Sequence, residues 1–339
     1  MKNKNGFSVV GLTAIAIAAS LTLAACGGGG GSGSPSSSGT SSSGSTGSTS
    51  TTTPAAVTGT LTTPQYAANS AQLAAFTLLN QYRQECGFPA LQENTELDQA
   101  AQAHAKYMGL NNAVSDSEAS GNAGFTGTSY IARAVAAGLP STVNGTGVSA
   151  AYYTNSTLAE SQYGSNMITT WLAGVYHSGA VFYPSGIVGI GEYETQYNGY
   201  PDAWGSMSLL NTATQTMSST PLTFPCQGTT GIAYSGAGET PTPPNVSNTG
   251  WGTPVVVMGN SGDAIVLQTA SMTGPAGSVT LQVLNSSTDP NKEIGAYEAV
   301  AYPTSPLSPN TQYSVSLTGT VNGTAFSRSF TFTTGNVVG

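Results

Sequence analysis

The sequence predicts an α+β domain followed by an all-β module, and three observations support this. Helical periodicity fills the first part of the folded chain, β-rich runs follow it, and short alternating runs continue from about residue 250 onward. Helices that precede strands favour separate α and β layers over the parallel sheet that alternating strands and helices build. A chain of 339 residues is long enough for about two domains of ordinary size.

Composition excludes one class of partner. Charged side chains make up 6% of the residues, so solubility depends on the many Ser, Thr, Asn and Gln side chains. Removing Lys2 and Lys4 with a leader leaves five basic residues against fifteen acidic ones, a net charge of −10. Phosphate binding needs clustered Lys and Arg, and none cluster in this sequence. Nucleic acid is therefore not an expected partner.

Residues 1–26 have the pattern of an export signal, with a basic start and a short apolar run. The run ends at Leu23-Ala24-Ala25-Cys26, which resembles the lipobox of bacterial lipoproteins. The resemblance implies that Cys26 is acylated and anchors the protein to the outer membrane, facing the periplasm or the cell surface. A membrane helix over residues 9–25 is the alternative. Residues 27–64 are almost wholly Gly, Ser and Thr and are predicted to be a disordered tether.

The first folded domain is expected at residues 65–235, and it opens with two amphipathic helices. The apolar stripe of the first contains Leu73, Phe76, Leu79, Arg83 and Cys86, and Gly87 ends the helix. The second begins at Asn94 or Thr95, and its stripe contains Leu97, Ala101, His104 and Met108. We therefore predict that His104 is a core histidine hydrogen-bonded to backbone.

Two more helices and a hairpin complete this domain. The helices are predicted from Ser129 to Ala137 and from Glu160 to Ala173. The β-rich runs after them are separated by a turn at Asn198-Gly199, which predicts a hairpin.

The rest of the chain is predicted to be a linker at residues 236–249 and a β domain at residues 250–339. A two-residue turn at Asn322-Gly323 sets the register of the last hairpin. Val315 then lies opposite Phe330, and Tyr313 lies opposite Phe332. One face of the hairpin is thus apolar and the other is rich in Ser and Thr.

Two stretches resemble known families. The first carries "LLNQYRQECGFPAL", "ELDQAAQAHAKYM", "GFTG", "WLAGVYHSGAVFYP" and "GIVGIGEY", and it resembles the bacterial branch of the CAP superfamily, also called SCP-like. That superfamily includes cysteine-rich secretory proteins, antigen 5 and pathogenesis-related proteins. The resemblance implies an α-β-α sandwich with a cleft on one side. The C-terminal stretch from "YPTSPLSPNTQYSV" to "SFTFTTG" resembles bacterial immunoglobulin-like repeats and implies an immunoglobulin-like sandwich.

The chain has three cysteines, Cys26, Cys86 and Cys226. If Cys26 carries the anchor, Cys86 and Cys226 remain as an even pair in an oxidising compartment, which favours a disulfide. Two buried free thiols are the alternative.

The family resemblance implies a cleft with two histidines and two acids, a set that binds a divalent metal in some members. His177 corresponds to one of the histidines. The other three positions fall on the loop 115–118, on Gly174 and near residues 147–149. Three of the four groups have therefore changed in this chain.

No metal or other cofactor is expected from this set. Zinc needs three or four His, Cys or carboxylate ligands, and the chain has two histidines. A calcium site would need Asp116, Glu118 and Glu160 to converge, and no loop has the alternating ligands of an EF-hand.

Two interpretations of His177 remain open at this point. As the remaining cleft histidine, it would serve a hydrolase with Asp116, Glu118 or Glu160 as its acid partner. As a residue near a helix C-terminus, it would interact with the last carbonyl groups of that helix. No Gly-x-Ser-x-Gly motif provides a nucleophile.

The sequence favours a lipid-anchored binding protein of the cell envelope over an enzyme. Its partner would be cell-envelope material, a host surface or an apolar small molecule held in the cleft. A hydrolase that uses His177 and a purely architectural spacer are the alternatives.

Overall fold

Five helices and thirteen strands make up the part of the chain that the computed structural model describes, residues 58–213 and 215–339. The helices are α1 (Ala71–Glu85), α2 (Thr95–Asn111), α3 (Tyr130–Ala136), α4 (Glu160–Ala173) and α5 (His177–Val181). The strands are β1 (Gln92–Glu93), β2 (Asn144–Tyr153), β3 (Ile187–Tyr197), β4 (Tyr200–Asn211), β5 (Leu222–Phe224), β6 (Thr230–Ile232), β7 (Val255–Met258), β8 (Ile265–Gly274), β9 (Gly277–Val279), β10 (Leu281–Asn285), β11 (Glu298–Pro303), β12 (Gln312–Val321) and β13 (Thr324–Thr334). The predicted export signal, Cys26 and most of the tether lie outside the described residues.

The first sheet has the strand order β1-β3-β4-β2. β1 runs parallel to β3, and the other two pairings are antiparallel. β3 and β4 are joined at Asn198 and Gly199, whose φ values are 50° and 81°. Positive φ at both positions is what a tight two-residue hairpin turn requires. The hairpin predicted at this turn is confirmed.

Helices cover both faces of this sheet. α2 lies so close to one face that a side chain at Gly189 or Gly191 would collide with its backbone. Met167 of α4 packs against Gly205 on the other face, and α1 lies against α4. The α-β-α sandwich that the sequence predicted is confirmed.

Two further sheets, with strand orders β10-β11-β7-β5 and β6-β13-β12-β8-β9, pack against each other as a β sandwich. In the last hairpin, Val315 pairs with Phe330 and Tyr313 pairs with Phe332, so the predicted register is confirmed. The all-β character of this second domain is confirmed too. The narrower immunoglobulin-like assignment stays a prediction.

The boundary between the two domains lies earlier than residue 235. β5 pairs with β7 and β6 pairs with β13, so both strands belong to the sheets of the second domain. The last strand of the first domain ends at Asn211. The predicted range 65–235 was therefore wrong at its end, because three-residue strands carry too little alternation to be recognised in a sequence.

Residues 236–249, predicted to be a linker, are an ordered segment that we call the strap. Gly236 and Trp251 exchange two backbone hydrogen bonds of 3.0 Å. The indole nitrogen of Trp251 donates to the carbonyl oxygen of Ala173 at the end of α4, at 2.7 Å. The strap is therefore held by hydrogen bonds where the two domains meet. We call this surface, on which Trp251 of the second domain bonds Ala173 of the first, the seam.

The tether is also shorter than predicted. The backbone nitrogen of Leu61 donates to the carbonyl oxygen of Glu93 at 2.9 Å, and that of Thr95 donates to Gly59 at 3.1 Å. Residues 59–61 thus pair with the segment that leads into α2, and a tether extending to residue 64 was wrong at that end.

Cys86 and Cys226, 140 positions apart, form the predicted disulfide. Cys226 lies between β5 and β6, so the bond joins the end of α1 to the second domain instead of closing the first domain on itself. Across the same seam, the ring of Phe182 stacks on Phe224 with centroids 4.3 Å apart. The two domains share one continuous apolar core.

None of the helices in the described ranges combines the length and the hydropathy that a bilayer-spanning segment needs.

Candidate functional site

His177 lies at the seam, at the start of α5. α4 ends at Ala173, and Gly174 follows in an extended conformation with φ −71° and ψ 139°. The chain then turns and begins the short α5. The Nδ1 atom of His177 lies 2.6 Å from a carboxylate oxygen of Glu239. Its Nε2 atom has no hydrogen-bond partner among the described residues, and the side chain is 21% exposed.

Glu239 belongs to the strap, and its side chain is 2% exposed. Its carboxylate accepts hydrogen bonds from the backbone nitrogens of Val175 at 2.7 Å, Tyr176 at 3.0 Å and His177 at 2.8 Å. The ring nitrogen of His177 adds a fourth. A buried carboxylate needs such partners to offset the loss of water. Glu239 therefore binds the first turn of α5 and the imidazole together.

The surrounding acids raise the pKa of His177. Burial by itself lowers the pKa of His177, but the hydrogen bond and negative charge of Glu239, with the charges of Asp116 and Glu293, outweigh it. The net result is a pKa above the ordinary histidine value. Asp116 comes from the first domain and Glu293 from the β10–β11 loop of the second, and both are exposed.

The β10–β11 loop forms the second domain's side of the site. Asp289 is buried, and its carboxylate accepts from the backbone nitrogens of Asn291, Glu293 and Ile294. The hydroxyl of Tyr176 donates to the same carboxylate across the seam at 2.9 Å. The surroundings of His177 are therefore built by both domains.

Asp116 is the one predicted acid that lies near His177. One of its carboxylate oxygens accepts from the hydroxyl of Tyr130 at 2.6 Å, and that hydroxyl also shares a hydrogen bond with Ser149. Among the described residues, Asp116 forms no hydrogen bond with the His177 ring and acts on it through its charge.

Glu118 belongs to a separate, buried network. Its carboxylate lies 2.8 Å from Nδ1 of His104 and 3.9 Å from Arg133, and it accepts from the backbone nitrogens of Thr126 and Gly127. The other nitrogen of His104 bonds the carbonyl oxygen of Ser115 at 2.7 Å. His104 is fully buried, as predicted, and its pKa is lowered by burial and by the positive charge of Arg133.

Glu160 lies at the opposite end of α4 from the site. A helix of fourteen residues is about 20 Å long. Glu160 converges there with Glu192 and Glu194, with one carboxylate oxygen of each lying within 4.8 Å of the others. Burial and the two neighbouring acids raise the pKa of Glu192 to about 7. Asp116, Glu118 and Glu160 thus do not form the calcium site considered from the sequence.

Sequence reasoning missed Glu239, the acid that actually holds His177. It lies 62 positions away in a Pro- and Thr-rich segment, where it is the one charged residue between 236 and 249. A single acid in an otherwise uncharged segment was the available signal. The interpretation of His177 as a residue that binds the last carbonyls of α4 was wrong, because Nδ1 bonds this carboxylate.

Chemically, the site presents one imidazole held by a carboxylate beside exposed acids. Nearby Ser178 is fully buried, and its hydroxyl donates to the carbonyl oxygen of Val175. Among the described residues, no hydroxyl or thiol lies within hydrogen-bond distance of His177 Nε2. The arrangement therefore offers a proton donor or acceptor without a side-chain nucleophile.

Residues 76–185 match the model of the CAP family, described as the cysteine-rich secretory protein family. Among solved structures, the chain is similar to an outer surface protein from Borrelia burgdorferi, with 14% sequence identity and a TM-score of 0.31. That similarity covers 40% of this chain and 90% of the other. No curated protein matches the chain.

Proposed function

From the premise that residues 76–185 form a CAP domain, we propose that the chain is an extracytoplasmic binding protein of the cell envelope. Its partner contacts the seam at His177, Asp116 and Glu293. The disulfide between Cys86 and Cys226 supports an oxidising compartment. The lipobox-like sequence at Cys26 supports a lipid anchor in the outer membrane.

One observation carries this proposal: among the described residues, Nε2 of His177 has no hydrogen-bond partner and no nucleophile within reach, and the charges of the exposed acids Asp116 and Glu293 act on the ring. Such a set recognises a ligand more readily than it transfers an acyl group, which needs a nucleophile and an oxyanion site. The acids favour a partner with positive charge, on the cell envelope or a host surface, over an apolar small molecule.

An oligolysine peptide immobilised on a sensor surface tests the binding proposal. We expect the double variant Asp116→Asn/Glu293→Gln to bind it several-fold more weakly than the unmodified protein. Removing two negative charges from anywhere on an acidic protein weakens such binding to some extent. The matched control is therefore Glu160→Gln/Glu194→Gln, which makes the same charge change at the far end of α4. Equal losses in the two double variants would contradict a binding site at the seam, and no binding by any form would favour the spacer.

The second candidate function is hydrolysis, and one feature favours it. A carboxylate on Nδ1 orients an imidazole so that Nε2 can accept a proton from water. The variant His177→Asn keeps an amide donor near the position of Nδ1 and removes Nε2. If the protein hydrolyses esters, peptides or glycosides, this variant should lose that activity at least tenfold while retaining its fold. Activity that survives in His177→Asn would exclude His177 as the base.

A further inference from the structure

We infer that Glu239 is the positioning residue of His177, and that residue 174 is glycine so that this carboxylate can enter from the strap. The inference goes beyond the proposed function, because it concerns how the site is assembled and needs no ligand. It makes the seam site a joint product of the two domains.

The backbone at Gly174 does not explain the glycine. Its φ of −71° and ψ of 139° lie in the β region, where any L-residue is allowed. Space explains it instead. A Cβ atom at this position would lie 2.7 Å from Oε1 of Glu239, 2.9 Å from Cβ of His177 and 3.0 Å from Nδ1 of His177. A side chain at residue 174 and the Glu239 carboxylate thus compete for the same space.

Hydrogen bonds on both sides of Glu239 hold the strap, and with it the Glu239 carboxylate, in position. Behind Glu239, Gly236 pairs with Trp251, and Trp251 also donates to Ala173. Ahead of it, the backbone nitrogen of Ser247 donates to Thr304 of the second domain at 2.8 Å. The position of Glu239 therefore depends on the docking of the β sandwich against the first domain.

Glu239 also raises the pKa of His177. The groups that raise the pKa of His177 are Glu239, by hydrogen bond and by charge, and then the charges of Asp116 and Glu293, all acting against burial. Glu239 is the one that touches the ring. Without it, burial is opposed only by two exposed acids that water screens.

Titration of the histidine ring protons by NMR tests the inference. The full chain has two histidines, so a His177→Asn variant assigns both signals. In Glu239→Gln, the pKa of His177 should move from above the ordinary value of about 6.5 to below it. Gly174→Ala should move it in the same direction, although every charge remains, because the methyl group displaces the carboxylate. The pKa of His104 should stay unchanged in both.

Glu293→Gln is the matched control, since it removes one neighbouring acid that does not touch the ring. Its effect on the pKa of His177 should be clearly smaller than that of Glu239→Gln. The inference is overturned if Glu239→Gln lowers stability but leaves the His177 titration in place, since Glu239 would then only bind the backbone of α5. It is equally overturned if Gly174→Ala leaves the titration unchanged. If Glu239→Gln does not fold, Gly174→Ala decides the matter alone.

Discussion

Replacing Arg83 with Met should lower the free energy of unfolding by about 3–5 kcal/mol. Arg83 of α1 is fully buried, and its guanidinium donates to four backbone carbonyl oxygens. The acceptors are Pro89 at 3.0 Å, Val181 at 3.0 Å, Tyr183 at 3.1 Å and Ser185 at 3.2 Å. Urea unfolding at neutral pH measures the loss.

Two opposing effects determine the size of this loss. Burial lowers the pKa of Arg83 to about 9, which shows that holding the charge in the core costs free energy, and the variant recovers that cost. The variant also removes a donor from four carbonyl groups in the core. Tyr183 keeps the backbone nitrogen of Ser185 at 2.7 Å, and the other three are left without a donor among the described residues, each at about 1–3 kcal/mol. The loss of these hydrogen bonds is larger than the recovered cost of burying the charge. A lysine at position 83 would not replace the guanidinium, because its single ammonium group could not reach all four oxygens.

Arg328 of β13 is the control for this variant. Two of its guanidinium nitrogens donate to the carbonyl oxygen of Pro221, at 3.2 and 3.0 Å, and its side chain is partly exposed. Arg328→Met should cost about 1 kcal/mol or less, because water can replace the guanidinium there. An Arg83→Met variant as stable as Arg328→Met would show that the hydrogen bonds of Arg83 do not stabilise the fold. These hydrogen bonds matter for the site, since Val181 is the last residue of α5, which begins at His177, and Tyr183 and Ser185 lie in the segment that follows it.

Local signals in the sequence were enough to predict much of this fold. The bounds of α4 match the prediction from Glu160 to Ala173, and Asn94 accepts from the Leu97 nitrogen as the N-cap of α2. The turn at Asn322-Gly323 gave the correct register over the whole last hairpin. In each case the residues that decide the geometry lie within a few positions of one another.

The candidate site could not be predicted in this way, because its contacts join distant parts of the chain. His177 and Glu239 are 62 positions apart, and nothing local to either residue specifies the pair. The predicted acid Glu118 instead met His104, fourteen positions away, across a loop whose course the sequence does not reveal. β2 was missed as well, since its glycines at 145 and 147 interrupt the alternation that marks a strand.

A second large effect is expected from Glu298→Gln, and it depends on pH. Glu298 opens β11 at the seam and is 5% exposed. One of its oxygens accepts from the backbone nitrogen of Gly295 at 2.9 Å. The other has no hydrogen-bond partner among the described residues, and it faces Gly179 of α5, where a Cβ atom would collide with it. Burial, with a smaller contribution from Asp289, raises the pKa of Glu298 to about 7.

The sign of the pH dependence follows from this raised pKa. The folded protein holds a proton on Glu298 up to about pH 7, whereas the unfolded chain releases it near pH 4.3. The stability that this proton contributes is present in full below about pH 4 and is lost as the pH rises toward 7. Above pH 7 the unmodified protein must bury a carboxylate, at a cost of about 3 kcal/mol relative to the protonated acid.

Glu298→Gln imitates the protonated acid at every pH, and its amide oxygen still accepts from Gly295. The free energy of unfolding of the variant, measured relative to that of the unmodified protein, should therefore rise between about pH 4.5 and 7. This difference should be about 3 kcal/mol more favourable to the variant at pH 8 than at pH 4. Urea unfolding across that range measures the gap. Glu85→Gln, at an exposed position on α1, is the control and should show no such trend. If the difference in free energy of unfolding between Glu298→Gln and the unmodified protein stays constant with pH, Glu298 remains ionised at the seam. A buried negative charge would then lie between the two domains.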